Sequence, residues 1–210
     1  KMTRLVFLSN VPQNFSRNNY VSCISVNERE NGTNTGRMIG EYLKEKPHAK
    51  VGFIIHGAMF YGTTERDNCA EKILRESYPD IEITARKGFI QIENAYKVCY
   101  EMINEHPDIQ ALYVSWDRPA LLAIKALKAL NRTDIAVFTT DLDFEIAEEM
   151  NRGFVKGLST QRPYDQGKAA ALAVAKSLVS DKVPKYIGVQ PYVVHEKQLK
   201  RASKKISFQA

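Results

Sequence analysis

From Arg4 to Val194 the chain alternates apolar blocks of strand length with amphipathic blocks of helix length. Arg4–Leu8 opens the pattern as a continuous apolar run, as in a strand covered on both faces. Tyr20–Val26 is a second strand candidate, reached through a polar loop holding Pro12, Asn14, Asn18 and Asn19. Asn34–Lys46 reads as a helix, with Met38, Ile39, Tyr42 and Leu43 on one face and Pro47 as its stop. The unit then repeats. Strands at Val51–His56, Ile81–Ala85, Ala111–Ser115, Ile135–Thr140 and Val155–Thr160 are separated by helices at Thr63–Tyr78, Gln91–Glu105, Ala120–Leu130 and Asp143–Asn151. An Ala-rich helix, Gln166–Val179, follows, and one or two short strands over Ile187–Val194, broken by Pro191, end the regular structure.

Short connections in such an alternation demand right-handed crossovers. The expected class is therefore α/β: a mostly parallel sheet with helices on both faces. Ligands of such sheets collect at the carboxyl ends of the strands. The loops that matter are Ser9–Asn19, Gly57–Thr63, Lys87–Ile90, Trp116–Pro119, Asp141–Asp143 and Gln161–Tyr164. A length of 210 residues suits one large or two small domains. No apolar run approaches the roughly 18–20 residues of a membrane helix, and Lys1–Asn10 lacks the pattern of a signal peptide. The cysteines at 23, 69 and 99 have no metal-knuckle spacing and read as three reduced, buried thiols. The net charge of +6 is scattered along the chain. Its one dense cluster, Lys197, Lys200, Arg201, Lys204 and Lys205, reads as a solvated tail, so no nucleic-acid partner is inferred for the part present.

The loops mix hydrogen-bonding side chains with aromatic ones: Ser9 and Asn10; Phe60, Tyr61, Thr63, Thr64 and Arg66; Phe89; Trp116 and Asp117; Asp141; Gln161, Arg162 and Tyr164. Sugars call for this mixture, because polar side chains bond hydroxyls in fixed directions while rings cover the apolar face of the sugar. Catalytic patterns are missing. The sequence has no GxSxG elbow, no GxxxxGK[ST] loop and no HExxH pair. Asp141 and Asp143 flank Leu142 without the third ligand or phosphate cradle of a Mg²⁺ site. His56 ends a strand within reach of a cleft, and a hydrogen-bonded loop histidine is preferred over a general base. The expectation is a binding protein, not an enzyme, with no cofactor and no metal.

Read in order, several weak motifs become specific together. They are Glu30-Asn31 with Gly36 and Gly40; Gly57 with Glu65-Arg66; His106-Pro-Asp-Ile-Gln-Ala-Leu-Tyr113; Trp116-Asp117 with Ala120–Leu127; Asp141; and Gly153 with Gln161. Their order resembles the periplasmic sugar-binding proteins of the ribose/galactose type, which share a fold with the ligand-binding core of LacI-family repressors. The resemblance runs through nearly the whole chain. It implies two similar α/β lobes joined by three chain crossings, with a sugar clamped between them. It further implies that Arg66 grips the ligand, that Phe89 supplies an aromatic from a neighbouring loop, that Asp141 holds ring hydroxyls and that Gln161 is the polar residue of the second crossing. Arg66 has an alternative: pairing with Glu65, Asp67 or Glu71 on its own helix. Phe60 and Tyr61 read either as a cap on the pocket or as an exposed loop tip.

Two departures stand out. Ser9-Asn10 ends the first lobe's last strand where ribose binders carry Asp-Arg, and Trp116 stands where they carry Asn, immediately before the matched Asp117. The ligand implied is sugar-like but not ribose. The family's first lobe also opens with several strand–helix units that are not in this sequence. The implied organisation is thus a remnant of the N-terminal lobe at 1–27 and 162–190, a complete C-terminal lobe at 28–161 and 191–197, and a basic tail at 198–210. This makes the chain a truncated form of a longer protein, and weak or no sugar binding is expected from it alone. The function implied is capture of a small-molecule sugar outside the cytoplasm for the membrane permease of an ABC transporter or for a chemoreceptor. The effector-binding core of a LacI-family repressor is the alternative.

Overall fold

The computed structural model describes residues 4–12, 14–58, 60–179 and 182–199. From residue 200 onward, the basic tail lies outside the described residues. Nine strands form two sheets among the described residues. The larger has six strands in the order β4-β3-β5-β6-β7-β9: β3 Lys50–His56, β4 Glu82–Phe89, β5 Ala111–Val114, β6 Ala136–Thr140, β7 Val155–Thr160 and β9 Tyr192–His195. All its pairings are parallel except that of β9, which runs antiparallel to β7. The smaller sheet is parallel throughout and has the order β1-β2-β8, with β1 Val6–Leu8, β2 Ser22–Val26 and β8 Tyr186–Val189.

Side chains of the larger sheet sort by the two-residue period of a strand. Val51, Phe53 and Ile55 of β3, Ala111 and Tyr113 of β5, and Ala136 and Phe138 of β6 pack on one face with helices α1 (Glu28–Leu43) and α2 (Tyr61–Ser77). Ile54, Leu112, Val114 and Val137 face the other way, onto α3 (Asn94–Glu105), α4 (Asp117–Ala129) and α5 (Phe144–Asn151). Helix α6 (Pro163–Leu178) packs on the smaller sheet and leaves Leu172, Leu178 and the following Val179 exposed. No helix of the described residues is long and apolar enough to cross a membrane.

Three local differences from the sequence reading have plain causes. Helix α1 begins at Glu28, capped by Asn27, whose Oδ1 accepts from Glu30 N–H at 3.3 Å. The Asn31-Gly32-Thr33 run, which precedes the expected helix start at Asn34, is helical too, and glycine at 32 lets α2 approach: a Cβ there would stand 2.0 Å from the Arg66 carbonyl oxygen. Strand β4 runs on to Phe89, because β3 offers it partners as far as His56. Cys23 and Cys99 are buried free thiols, but Cys69 is half-buried on the flank of α2, beside Ala70 of the packed face.

Candidate functional site

Strand order reverses between β3 and β5, since β3 connects outward through α2 to β4 and the chain then returns past it through α3. A crevice at the carboxyl ends follows from that reversal. Its floor is a layer of buried polar groups, and its walls are aromatic.

The floor centres on Arg66, in the second turn of α2 and 4% exposed. Its Nε and Nη2 donate to the two carboxylate oxygens of Glu28 at 2.8 and 3.0 Å, in the bidentate geometry that suits a guanidinium. Its Nη1 donates to the Ser115 carbonyl at 3.0 Å and to Thr140 Oγ1 at 2.6 Å. Burial disfavours the guanidinium charge, and the Glu28 carboxylate outweighs that cost, holding Arg66 protonated beyond its ordinary range. The next residue, Asp67, is 1% exposed. Its Oδ1 accepts from Tyr113 Oη at 2.7 Å and Ser115 Oγ at 2.6 Å, while its Oδ2 is shut from solvent without a partner. Burial pushes this carboxyl up to about 6, against the pull of the two hydroxyl donors and of Arg66.

Above the floor, His56 at the end of β3 is ringed by aromatics. Its ring centre lies 5.0 Å from Trp116, edge to face, 5.4 Å from Phe60 and 5.5 Å from Phe89; Phe89 and Trp116 are 5.3 Å apart. His56 Nδ1 is buried and has no partner, contrary to the satisfied loop histidine expected from the sequence. Asp117 and Asp141 sit at the ends of neighbouring strands β5 and β6. Burial raises the Asp117 carboxyl, the backbone N–H of Arg118 lowers it at 2.6 Å, and the charges of Asp141 and Asp143 raise it further. Asp141 has φ +66°, the left-handed region that Asp tolerates better than most residues, and its Oδ1 is buried without a partner.

The remaining expected site residues lie around this core. Gln161 follows β7 and its Oε1 accepts from Gln166 Nε2 at 3.2 Å. Tyr61 opens α2, 63% exposed. Ser9 and Asn10 follow β1 and are exposed; Ser9 also has a positive φ, +65°. Asn10 comes near the start of α2, where a Cβ on Gly62 would meet its Oδ1 at 3.7 Å and Glu28 Oε1 at 3.0 Å. Arg66 is the expected contact whose placement differs most. With four hydrogen bonds inside the chain it supports the floor, and its partner is Glu28 on α1 rather than a residue of its own helix. The sequence reading missed Glu28, Thr140 and the Asp67–Ser115 pair; the signal available was a run of polar residues ending apolar strands. Among the described residues no group of three or more His, Cys, Asp or Glu is placed to share a metal ion.

Fold and crevice together define a class, and comparison with known proteins agrees: the model of the periplasmic binding protein domain matches residues 10–182. The chain belongs to that family. It is 31% identical over 99 residues to the D-ribose/D-allose-binding protein of Pseudomonas aeruginosa, a match spanning 46% of this chain and 30% of that protein. Among solved structures it resembles GanP, a glucose-galactose binding protein from Geobacillus stearothermophilus (TM-score 0.82, 21% identity, 92% of this chain and 68% of that one). It also resembles a periplasmic solute binding protein of an ABC transporter from Actinobacillus succinogenes 130z with bound D-allose (0.83, 20%, 93% and 70%). A third is the periplasmic binding component of the arabinose ABC transporter from Shewanella sp. ANA-3 (0.84, 17%, 97% and 68%).

Proposed function

We propose that this protein captures a sugar or sugar-like ligand in the crevice above Arg66 and delivers it, outside the cytoplasm, to an ABC-transporter permease or a chemoreceptor. It acts as a binding protein, not an enzyme. The observation that carries the reading is Asp141: a strained carboxylate whose buried oxygen lacks a partner is set to receive a ligand hydroxyl. Phe89 and Trp116 supply the ring surface, and Asp117, Gln161, Ser9, Asn10 and Tyr61 the surrounding polar and capping groups. Support comes from the family and from relatives whose names record ribose, allose, arabinose, glucose and galactose. Nothing observed favours the repressor core.

In this proposal 28–161 and 191–197 form one lobe, while 1–27 and 162–190 belong to a second that closes over the ligand. Contacts from both lobes would stabilise the closed form that a membrane partner recognises. The test is calorimetric titration of the product of the full reading frame with D-ribose, D-allose, L-arabinose, D-glucose and D-galactose. One of these sugars binds, and Asp141→Ala weakens it by about 10- to 100-fold, the worth of a hydrogen bond to a charged group. No heat with any sugar overturns the reading; unchanged affinity in the variant removes Asp141 from the site.

A further inference from the structure

Ser115, between β5 and Trp116, has every polar atom engaged. Its N–H donates to the Ile54 carbonyl at 3.1 Å, and its own carbonyl accepts from Arg66 Nη1 at 3.0 Å and Thr140 Oγ1 at 2.7 Å. Its Oγ accepts from the His56 N–H at 3.3 Å and donates to Asp67 Oδ1 at 2.6 Å. One residue thus ties the ends of β3, β5 and β6 to the buried Asp67 carboxyl, and the next residue carries the Trp116 ring that packs on His56 and Phe89. We infer that Asp67 is a positioning residue for the crevice, acting through Ser115 to set the placement of Trp116 and His56. The inference rests on the proposed binding site for its bearing on affinity, but its test needs no ligand.

The chemistry makes this hold depend on protonation. As a carboxylate, Asp67 is an acceptor only, so the Ser115 and Tyr113 hydroxyls are both obliged to point at it. Once protonated it is a weaker acceptor, and the grip on Ser115 slackens. The groups around it are Arg66 on its own helix, whose guanidinium is turned to Glu28 of α1; Tyr113 and Ser115 at β5; Arg86 of β4; and His56 of β3, which reaches it through Ser115. Arg66 in turn feels Asp141 at the end of β6. Among the described residues no salt bridge fixes the Asp67 charge, Arg66 being paired with Glu28, and burial brings its titration to about pH 6.

Trp116 is the chain's sole tryptophan, so its fluorescence reports on this turn without labelling. Titrating the 210-residue chain from pH 8 to pH 4 is expected to give a step in emission with a midpoint near pH 6. Asp67→Asn abolishes the step, and Tyr113→Phe moves its midpoint upward by removing a donor to the ionised form. His56→Gln and Asp117→Asn remove the ionisable side chains nearest the ring and leave the step in place. The inference fails if the wild type shows no step, if the step survives Asp67→Asn, or if it disappears with His56→Gln or Asp117→Asn. Should Asp67→Asn not fold by circular dichroism, Ser115→Ala decides: loss of the step supports the coupling and its persistence overturns it.

Discussion

Arg66 and Asp67 are adjacent on α2, buried side by side, yet their electrostatic situations are opposite. Arg66 has a bidentate partner in Glu28; Asp67 has only hydroxyl donors. Removing one member of a buried pair strands the other charge, which typically costs about 3–5 kcal/mol. Glu28→Ala should therefore lower stability by about that amount in urea denaturation, and a loss below 1 kcal/mol would show the pair to be dispensable. For Asp67 the sign runs the other way from an ordinary salt-bridged carboxylate. Its ordinary value of 3.8 is raised to about 6 by folding, so the native state binds the proton more tightly than the unfolded chain. The resulting stability is fully present below about pH 4 and is lost as pH rises to about 6, by on the order of 3 kcal/mol at 1.36 kcal/mol per pH unit. Asp67→Asn should flatten the stability curve between pH 4 and 7; an unchanged slope would remove Asp67 as its source. Neither residue's role was legible in the sequence. The partner of Arg66 lies 38 residues upstream, and which of two adjacent charged residues is paired depends on helix packing rather than on spacing.

The elements themselves were largely legible, because a strand buried on both faces is apolar throughout and stands out between amphipathic helices: Val51, Phe53 and Ile55 go one way and Ile54 the other. The exception was the start of α1, which the sequence places at Asn34 and the structure at Glu28. Gly32, Gly36 and Gly40 fall on one stripe, and a Cβ on any of them would come within 2.0–2.5 Å of Arg66, Ile73, Ala70 or Tyr78 of the α2 segment. These positions are empty so that two helices can approach, a need that exists only once α2 has been placed. A contrast tests the point. Gly32→Ala should destabilise by about 1–3 kcal/mol through overpacking. Gly167→Ala, in α6 with nothing within 4 Å of its Cβ position, should stabilise by about 0.5–1 kcal/mol through helix propensity. Equal effects in thermal unfolding would refute the close-approach account.

Three crossings join the two sheets: Val26 to Glu28, Thr160 to Pro163, and Val189 to Tyr192. The larger sheet is buried on both faces, whereas the smaller has α6 as its packed helix and leaves Leu8, Leu172, Leu178 and Val179 exposed. Fewer buried contacts mean a lower cost of local opening. Hydrogen exchange of the 210-residue chain should accordingly release the amides of β1, β2 and β8 well before those of β3, β5 and β6; uniform protection would contradict this difference between the sheets. The order of the strands also bears on synthesis. Tyr186 of β8 bonds the carbonyl of Val26 in β2, 160 residues earlier, so the smaller sheet is stitched from segments far apart in sequence. The larger sheet can form its parallel core as soon as β7 leaves the ribosome. Its neighbour must hold β1 and β2 unpaired with β8 until Tyr186–Val189 is made, so between β7 and β8 a nascent chain carries a larger sheet ready to pair and a smaller one still open.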